Sequence, residues 1–332
     1  MASGLHVVLT IAIIASSVGC ATSKGSKSGQ LVSQGNELAK DGLLREAAIS
    51  YRKALRLKSN NPSARRNLGI VQIKLKEYKA AVNNLEKVIS KFEGDFESNY
   101  WLAEGYRSID RNADAIYRYK KALEIRSDDM RAKKALAWTY YRVRYYSETL
   151  ALAKSIVVKY PADLQAVLIL ARTLIKINNS KEALALIEKS RVHANEMNLP
   201  YLQSVEGDAY YAENRCTDAI KVYREALKTQ PLLPGPLLGL GQCQLAIGKF
   251  TEGIGYLERA VKIKPEFTEA VYTLAKAYEQ QKDRRSTGMY KKFRKLAAKD
   301  PEFLERLAEI NQKLDDMRGK KTALDEAKKP LN

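Results

Sequence analysis

The chain has 332 residues, 45% of them hydrophobic, and its 57 Lys and Arg against 38 Asp and Glu leave a net charge of +19. Two His and three Cys are too few to assemble a catalytic triad or a zinc cluster with recognisable spacing. Neither GxGxxG nor GxxxxGK followed by Ser or Thr occurs, so no phosphate-cradling loop is present, and the sequence reads as a binding protein with no cofactor, no metal and no reaction of its own.

At the amino end, Leu5 to Val18 is a 14-residue uncharged, mainly apolar run, too short to span a bilayer comfortably. It closes on Ser17-Val18-Gly19-Cys20. This resembles a bacterial lipoprotein signal, although Ser17 stands where Leu is usual and no Lys or Arg precedes the run. The resemblance implies that residues 1–19 are removed, that Cys20 receives acyl chains such as palmitate, and that the protein sits in the cell envelope. Ala21 after the Cys resembles the outer-membrane sorting choice. Residues 20–30, rich in Ser, Gly and Lys, then read as a flexible tether. An ordinary secretory signal or a short apolar tail is the alternative.

Beyond the tether, small residues recur at one interval: Gly35, Gly69, Ala103, Ala137, Ala171, Gly207, Gly241 and Ala275 are separated by 34 residues, except for one step of 36. A second small residue follows twelve positions after seven of the eight, at Ala47, Ala81, Ala115, Thr149, Ala183, Ala219 and Gly253. Four further on stand Tyr51, Leu85, Tyr119, Ile187, Tyr223 and Leu257, on the same helical face. Paired helices approach to about 8–10 Å only where crossing points carry small side chains. Pro62, Pro200 and Pro234 open repeats, and Pro161, Pro231 and Pro265 fall in turns between them. The chain therefore resembles the tetratricopeptide family, whose repeat is 34 residues long. The resemblance implies an all-α, right-handed superhelical solenoid of eight helix-turn-helix repeats over residues 28–303.

The two extra residues before Gly207 are placed in Val192 to Leu199, as a lengthened helix or turn. In the eighth repeat, two inserted residues near Ser286 would give Met289, Phe293, Leu296 and Pro301 the usual roles. Phe303, Leu304, Leu307, Ile310 and Leu314 have helical spacing, so residues 304–317 are expected to cap the last repeat. Residues 318–332 are polar and charged and are expected to fray.

Binding in the resembled family takes place on the concave face lined by first helices. Its register points to Tyr100, Arg107, Arg131, Lys134, Trp138, Tyr141, Arg142, Arg172, Lys176, Tyr201 and Tyr211, with Glu104 and Asp208 among them. Aromatic and Arg side chains are the usual interface hot spots, and Trp138, Tyr141 and Arg142 form the expected centre. Some of these aromatics pack between repeats on the plainer reading. Arg131 to Lys159 holds seven basic residues and one acidic, but its aromatics are claimed by helix packing, which disfavours nucleic acid. Asn36 and Asn67 stand at the two Asn positions of the chaperone-binding carboxylate clamp, while Val32, Glu97 and Trp101 replace its basic residues. Cys216 and Cys243 are expected to be unpaired, although their repeats are adjacent and a disulfide stays open.

The layout of signal, Cys, tether and repeats resembles lipid-anchored repeat proteins that assist type IV pilus secretins or other outer-membrane assemblies. The expected function is a scaffold that holds an envelope-protein segment in its groove. Two alternatives are a soluble periplasmic or secreted adaptor for an acidic polymer such as exopolysaccharide, favoured by a positive charge that also attracts lipid head groups, and a cytosolic chaperone-type adaptor.

Overall fold

The computed structural model describes residues 25–298 and 301–327. Cys20 and the expected signal therefore lie outside the described residues. The described chain divides after Thr139 into two compact units. The first holds α1 (25–40), α2 (Leu44–Leu57), α3 (Pro62–Lys74), α4 (Tyr78–Glu86), α5 (Phe96–Ser108) and α6 (Asn112–Ile125), and α7 (Met130–Arg142) runs across the division. The second holds α8 (Tyr146–Lys159), α9 (Leu164–Lys176), α10 (Ser180–Ser190), α11 (Leu199–Ala212), α12 (Cys216–Thr229), α13 (Pro234–Ala246), α14 (Phe250–Ile263), α15 (Thr268–Gln280), α16 (Arg285–Ala297) and α17 (Leu304–Ala327). Among the described residues there is no strand.

Within each unit, helices pair in chain order, as in α5 on α6 or α13 on α14, and the first helices also touch one another, α3 on α5 and α9 on α11 on α13. The sequence period explains the pairing. A Cβ on Gly35 would stand 2.6 Å from the Tyr51 ring, one on Gly69 2.6 Å from Leu85, one on Gly207 2.4 Å from Tyr223 and one on Gly241 2.6 Å from Leu257. The small residue of these four first helices thus receives the bulky residue sixteen positions later on the second helix. Entry into the first helices is also periodic. Asn61, Asp95, Asp129 and Asp163, each eight residues before the small position, accept a hydrogen bond from the backbone N–H three residues on, satisfying an otherwise unpaired donor.

The turn inside each repeat has one residue with left-handed backbone, seven positions after the small one. These are Gly42 and Gly248, but also Lys76, Asp110, Arg144, Asn178, Asn214 and Lys282. The chain therefore reverses through a conformation that disfavours most side chains, and it does so at eight regular places.

Three boundaries differ from the sequence expectation. The tether is already helical from residue 25, because buried Ser28 donates its hydroxyl to the Ala54 carbonyl at 3.0 Å and accepts from Asn61 Nδ2 at 3.0 Å. The eighth repeat does not gain two residues. In the seven preceding repeats the buried second-helix positions fall 12, 16 and 19 after the small residue, whereas in α16 the first three buried residues are Ser286, Tyr290 and Phe293, at 11, 15 and 18. Tyr290 is the plug, its hydroxyl donating to Glu279 at 2.6 Å, while Met289 and Leu296 are only partly buried. Finally, α17 continues to Ala327, well past the expected fraying point at 318. Its first half is the cap: Phe303, Ile310 and Leu314 bury against Tyr272, Tyr290 and Phe293. The extra residues before Gly207 form a turn, a 3-10 segment Arg191–His193 followed by a loop in which the Asn195 and Asn198 side chains accept backbone N–H groups.

Candidate functional site

A recurring bond ties the core to the first-helix face. Tyr51 donates its hydroxyl to Asn36 at 2.8 Å, Tyr119 to Glu104 at 2.5 Å and Tyr223 to Asp208 at 2.8 Å, each pair fifteen residues apart. The plug tyrosine threads beneath the small residue and ends on the polar residue next to it. Asn36, Glu104 and Asp208 are thereby held at fixed positions on the inner layer.

In the first unit this layer opens into a cleft of about 610 Å³ lined by Asn36 and Lys40 from α1, Arg66, Asn67, Ile70 and Lys74 from α3, and Glu97 and Trp101 from α5, with Tyr51 beneath. Its floor is an amide network: Asn67 Nδ2 donates to Asn36 Oδ1 at 2.8 Å, and Arg66 donates to Asn67 Oδ1 at 2.9 Å. Arg66 is anchored on its other side by Asp95, at 2.5 Å. Burial opposes ionisation of Asp95, but hydrogen bonds from Ser98 and Arg66 overcome it and hold the carboxyl below its usual range. The wall is aromatic and cationic. Lys74 Nζ lies 5.3 Å from the Trp101 ring centre, and Trp101 donates to Glu97 at 3.0 Å. Such a site offers an apolar ring face, amide groups and positive charge together, the combination that orients a peptide segment.

Beside the cleft, Tyr100 packs edge-on to Trp101 and beneath Arg131, whose guanidinium is 5.1 Å from its ring; burial pushes its hydroxyl up to about 12. Arg131 is paired with Glu97 at 3.0 Å and Asp129 at 3.2 Å. Arg107 is bound to Glu104 and to the Tyr119 hydroxyl, so this expected groove cation braces the Tyr119 bond.

In the second unit Tyr141 pairs with the Tyr146 ring at 5.9 Å, and burial pushes its hydroxyl up to about 12. Lys176 Nζ lies 2.5 Å from Glu302, in the short Pro301–Phe303 turn that precedes α17. Arg172, one turn before Lys176 on α9, is half-buried and makes no hydrogen bond or ion pair among the described residues. Asp208 is half-buried; burial raises its carboxyl above the usual range even though the Tyr223 hydroxyl, Arg172 and Lys176 favour the charged form. Tyr211 packs in the cluster of Tyr223, Leu240 and Cys243, and Tyr201 is exposed.

The expected site residues are spread over both units. In the first, Tyr100 and Arg131 adjoin the cleft, and Lys134 and Trp138 are half-buried on α7. Tyr141, Arg172 and Lys176 gather on the second unit, where Arg142 is half-buried. Sequence reasoning missed Arg66, Lys74 and Trp101 as cleft residues, although the register that selected the central set also reaches Arg66 and Lys74. Both remaining thiols are free. Burial, then the neighbouring Cys216 thiol, raise Cys243 well above the usual thiol range.

The model of the tetratricopeptide repeat matches residues 32–87 and 205–267. Among solved structures, a tetratricopeptide repeat protein from Parabacteroides merdae is 15% identical, with a TM-score of 0.65 over 76% of this chain and 99% of its own. A thermophilic TPR protein of Thermus thermophilus is 17% identical, with a TM-score of 0.50 over 55% of this chain and 99% of its own. None of the curated proteins matches the sequence. Likeness at these identities speaks for the fold, and with the periodic glycine-plug packing it makes this chain an all-α repeat solenoid, two stretches of which match the tetratricopeptide repeat.

Proposed function

We propose that the protein is a lipid-anchored scaffold that holds a segment of a cell-envelope protein on its first-helix face while a larger machine assembles, type IV pilus or secretin-like machinery being the leading example. The observation that carries the binding half is the cleft of about 610 Å³, where Trp101, Lys74 and the Asn36–Asn67 pair converge. Aromatic and cationic side chains on three rigid helices give contact area without much ordering cost. The anchoring half rests on the sequence around Cys20. Among the described residues no helix is long and apolar enough to cross a membrane, and acyl chains on Cys20 would provide the attachment, two or more being needed for stable anchoring.

Affinity capture from the native envelope tests the binding half. Trp101→Ala should lose the captured protein while helical content stays unchanged; undiminished capture moves the site off the cleft. Cys20→Ser tests the anchor: it should release the protein to the soluble fraction and abolish labelling with a fatty-acid analogue, and unchanged membrane association with an intact Met1 in mass spectrometry overturns it. The net charge of +19 favours the second reading, an adaptor for an acidic polymer. That reading requires polyanion binding that falls steeply with salt and survives Trp101→Ala.

A further inference from the structure

The second unit contains a contact between residues 126 positions apart: Lys176 at the end of α9 meets Glu302 in the turn before α17 at 2.5 Å. The turn is brought there by Phe303, which is buried and packs edge-on against Phe293 with ring centres 5.8 Å apart. Arg306, one turn later, lies 4.9 Å over the Tyr272 ring and binds Glu269 at 2.5 Å. The carboxyl-terminal segment is therefore fastened to α15 and α16, and from that base it presents one carboxylate to the first-helix face of another repeat.

The receiving face is unusually cationic for a structural reason. In repeats one, three and six the residue after the small position is Asn36, Glu104 or Asp208, held by the plug tyrosine. In the fifth repeat the corresponding residue is Arg172, and the plug is Ile187, which is 1% exposed and has no hydroxyl to offer. Arg172 thus makes no hydrogen bond or ion pair among the described residues, one turn from Lys176 and close enough to Asp208 and Tyr141 to act on both electrostatically. Glu302 is paired with Lys176. Its side chain and that of Lys176 remain 39% and 41% exposed, so the pair is within reach of a competitor, and exposed pairs of this kind are weak.

We propose that Arg172 and Lys176, flanked by Tyr141, form a binding site for an acidic side chain of a partner segment, and that the chain's own Glu302 occupies this site as an internal competitor. The partner is thereby given a chemistry, a peptide bearing Asp or Glu, which enters by displacing Glu302 from Lys176 and engages Arg172 with a second acceptor. This inference rests on the scaffold reading and narrows it.

The test uses the mature full-length chain and a fluorescently labelled peptide of alternating Glu and Ser, with the Gln-for-Glu peptide as control. Glu302→Gln should tighten binding of the acidic peptide about two- to fivefold, the range expected for removing one exposed ion-pair competitor, and should leave the control peptide unaffected. Arg172→Gln combined with Lys176→Gln should weaken the acidic peptide about tenfold or more. The charge exchange Lys176→Glu with Glu302→Lys restores the internal pair, so it should melt like the wild type yet fail to bind. Equal affinity of the wild type and Glu302→Gln, or undiminished binding by the Arg172 and Lys176 double variant, overturns the proposal. If either occurs while envelope capture still depends on Trp101, the scaffold reading stands and only the acidic site falls; loss of Trp101 dependence with these peptide results intact is the converse.

Discussion

Gly207 offers the sharpest test of the packing argument. A Cβ built there would lie 2.4, 2.6 and 2.7 Å from atoms of the Tyr223 ring, far inside contact distance. The ring cannot swing away, because a Cβ on Gly239 of the following first helix would meet its other side at 2.1 Å, and its hydroxyl is tied to Asp208 at 2.8 Å. Gly207→Ala must therefore separate α11 from α12, an overpacking cost of roughly 1–3 kcal/mol, to be set against a gain of about 1 kcal/mol from better helix propensity. With no slack on either side of the ring the upper part of the range applies, so the net loss should be about 1–2 kcal/mol. Gly255→Ala in α14 is the control. A Cβ there meets nothing within 4 Å, so only the propensity gain remains and the variant should be stabilised by roughly 0.5–1 kcal/mol. Urea unfolding followed by far-ultraviolet circular dichroism distinguishes the two by opposite shifts in midpoint. Combining Gly207→Ala with Tyr223→Ile, which copies the Ala171 and Ile187 pairing, should recover part of the loss. If Gly207→Ala and Gly255→Ala shift the midpoint alike, the sandwiched ring is not what sets helix spacing.

Three further outcomes follow from particular residues. Lys76 is exposed and has φ 63°, so Lys76→Gly should raise the thermal midpoint through relief of about 0.5–1 kcal/mol of net backbone strain; a lowered midpoint would show that the lysine side chain contributes more than its backbone costs. Asp208 has a folded-state pKa above its unfolded value because of burial, so the native state binds more protons between the two values and stability falls as pH rises through that window. Asp208→Asn should flatten this slope, and urea midpoints measured from acidic to neutral pH check it. Cys243 is fully buried beside Cys216, its thiol raised first by burial. Iodoacetamide at mildly alkaline pH should therefore label Cys216 before Cys243 in the folded protein, as peptide mapping would reveal, and equal labelling would contradict the burial.

The fold was legible because its cause is periodic. A glycine or alanine facing a plug sixteen residues later repeats at 34, and the physical requirement of close helix approach is written in residue size. The left-handed turns were harder to read, since Lys76, Arg144 and Lys282 are not turn formers by type; only their spacing marks them. The tyrosine tie was not read from the sequence: its interval is constant at fifteen residues, but the acceptor changes from Asn36 to Glu104 to Asp208, so chemistry disguised a constant geometry. The eighth repeat slipped because Phe293 looked like the plug when Tyr290, with a carboxylate to receive its hydroxyl, fills that role.

The candidate sites were legible only in part, and the reason is distance along the chain. Aromatic density between Arg131 and Lys159 drew attention to the middle repeats. There Tyr140 and Tyr145 lie 6.1 Å apart, and Tyr141 and Tyr146 5.9 Å, so the rings serve one another within a short stretch of sequence. The cleft of the first unit instead needs side chains from each of α1, α3 and α5, a convergence that local composition does not advertise. The contact between Lys176 and Glu302 is further removed still, joining residues 126 apart. What made it readable afterwards was the plug: Ile187, unlike Tyr51, Tyr119 and Tyr223, has no hydroxyl to tie the neighbouring polar residue, and Arg172 makes no hydrogen bond or ion pair among the described residues. In a repeat protein the positions that break the internal pattern are the ones released from packing, and it is there that a partner's chemistry can be met.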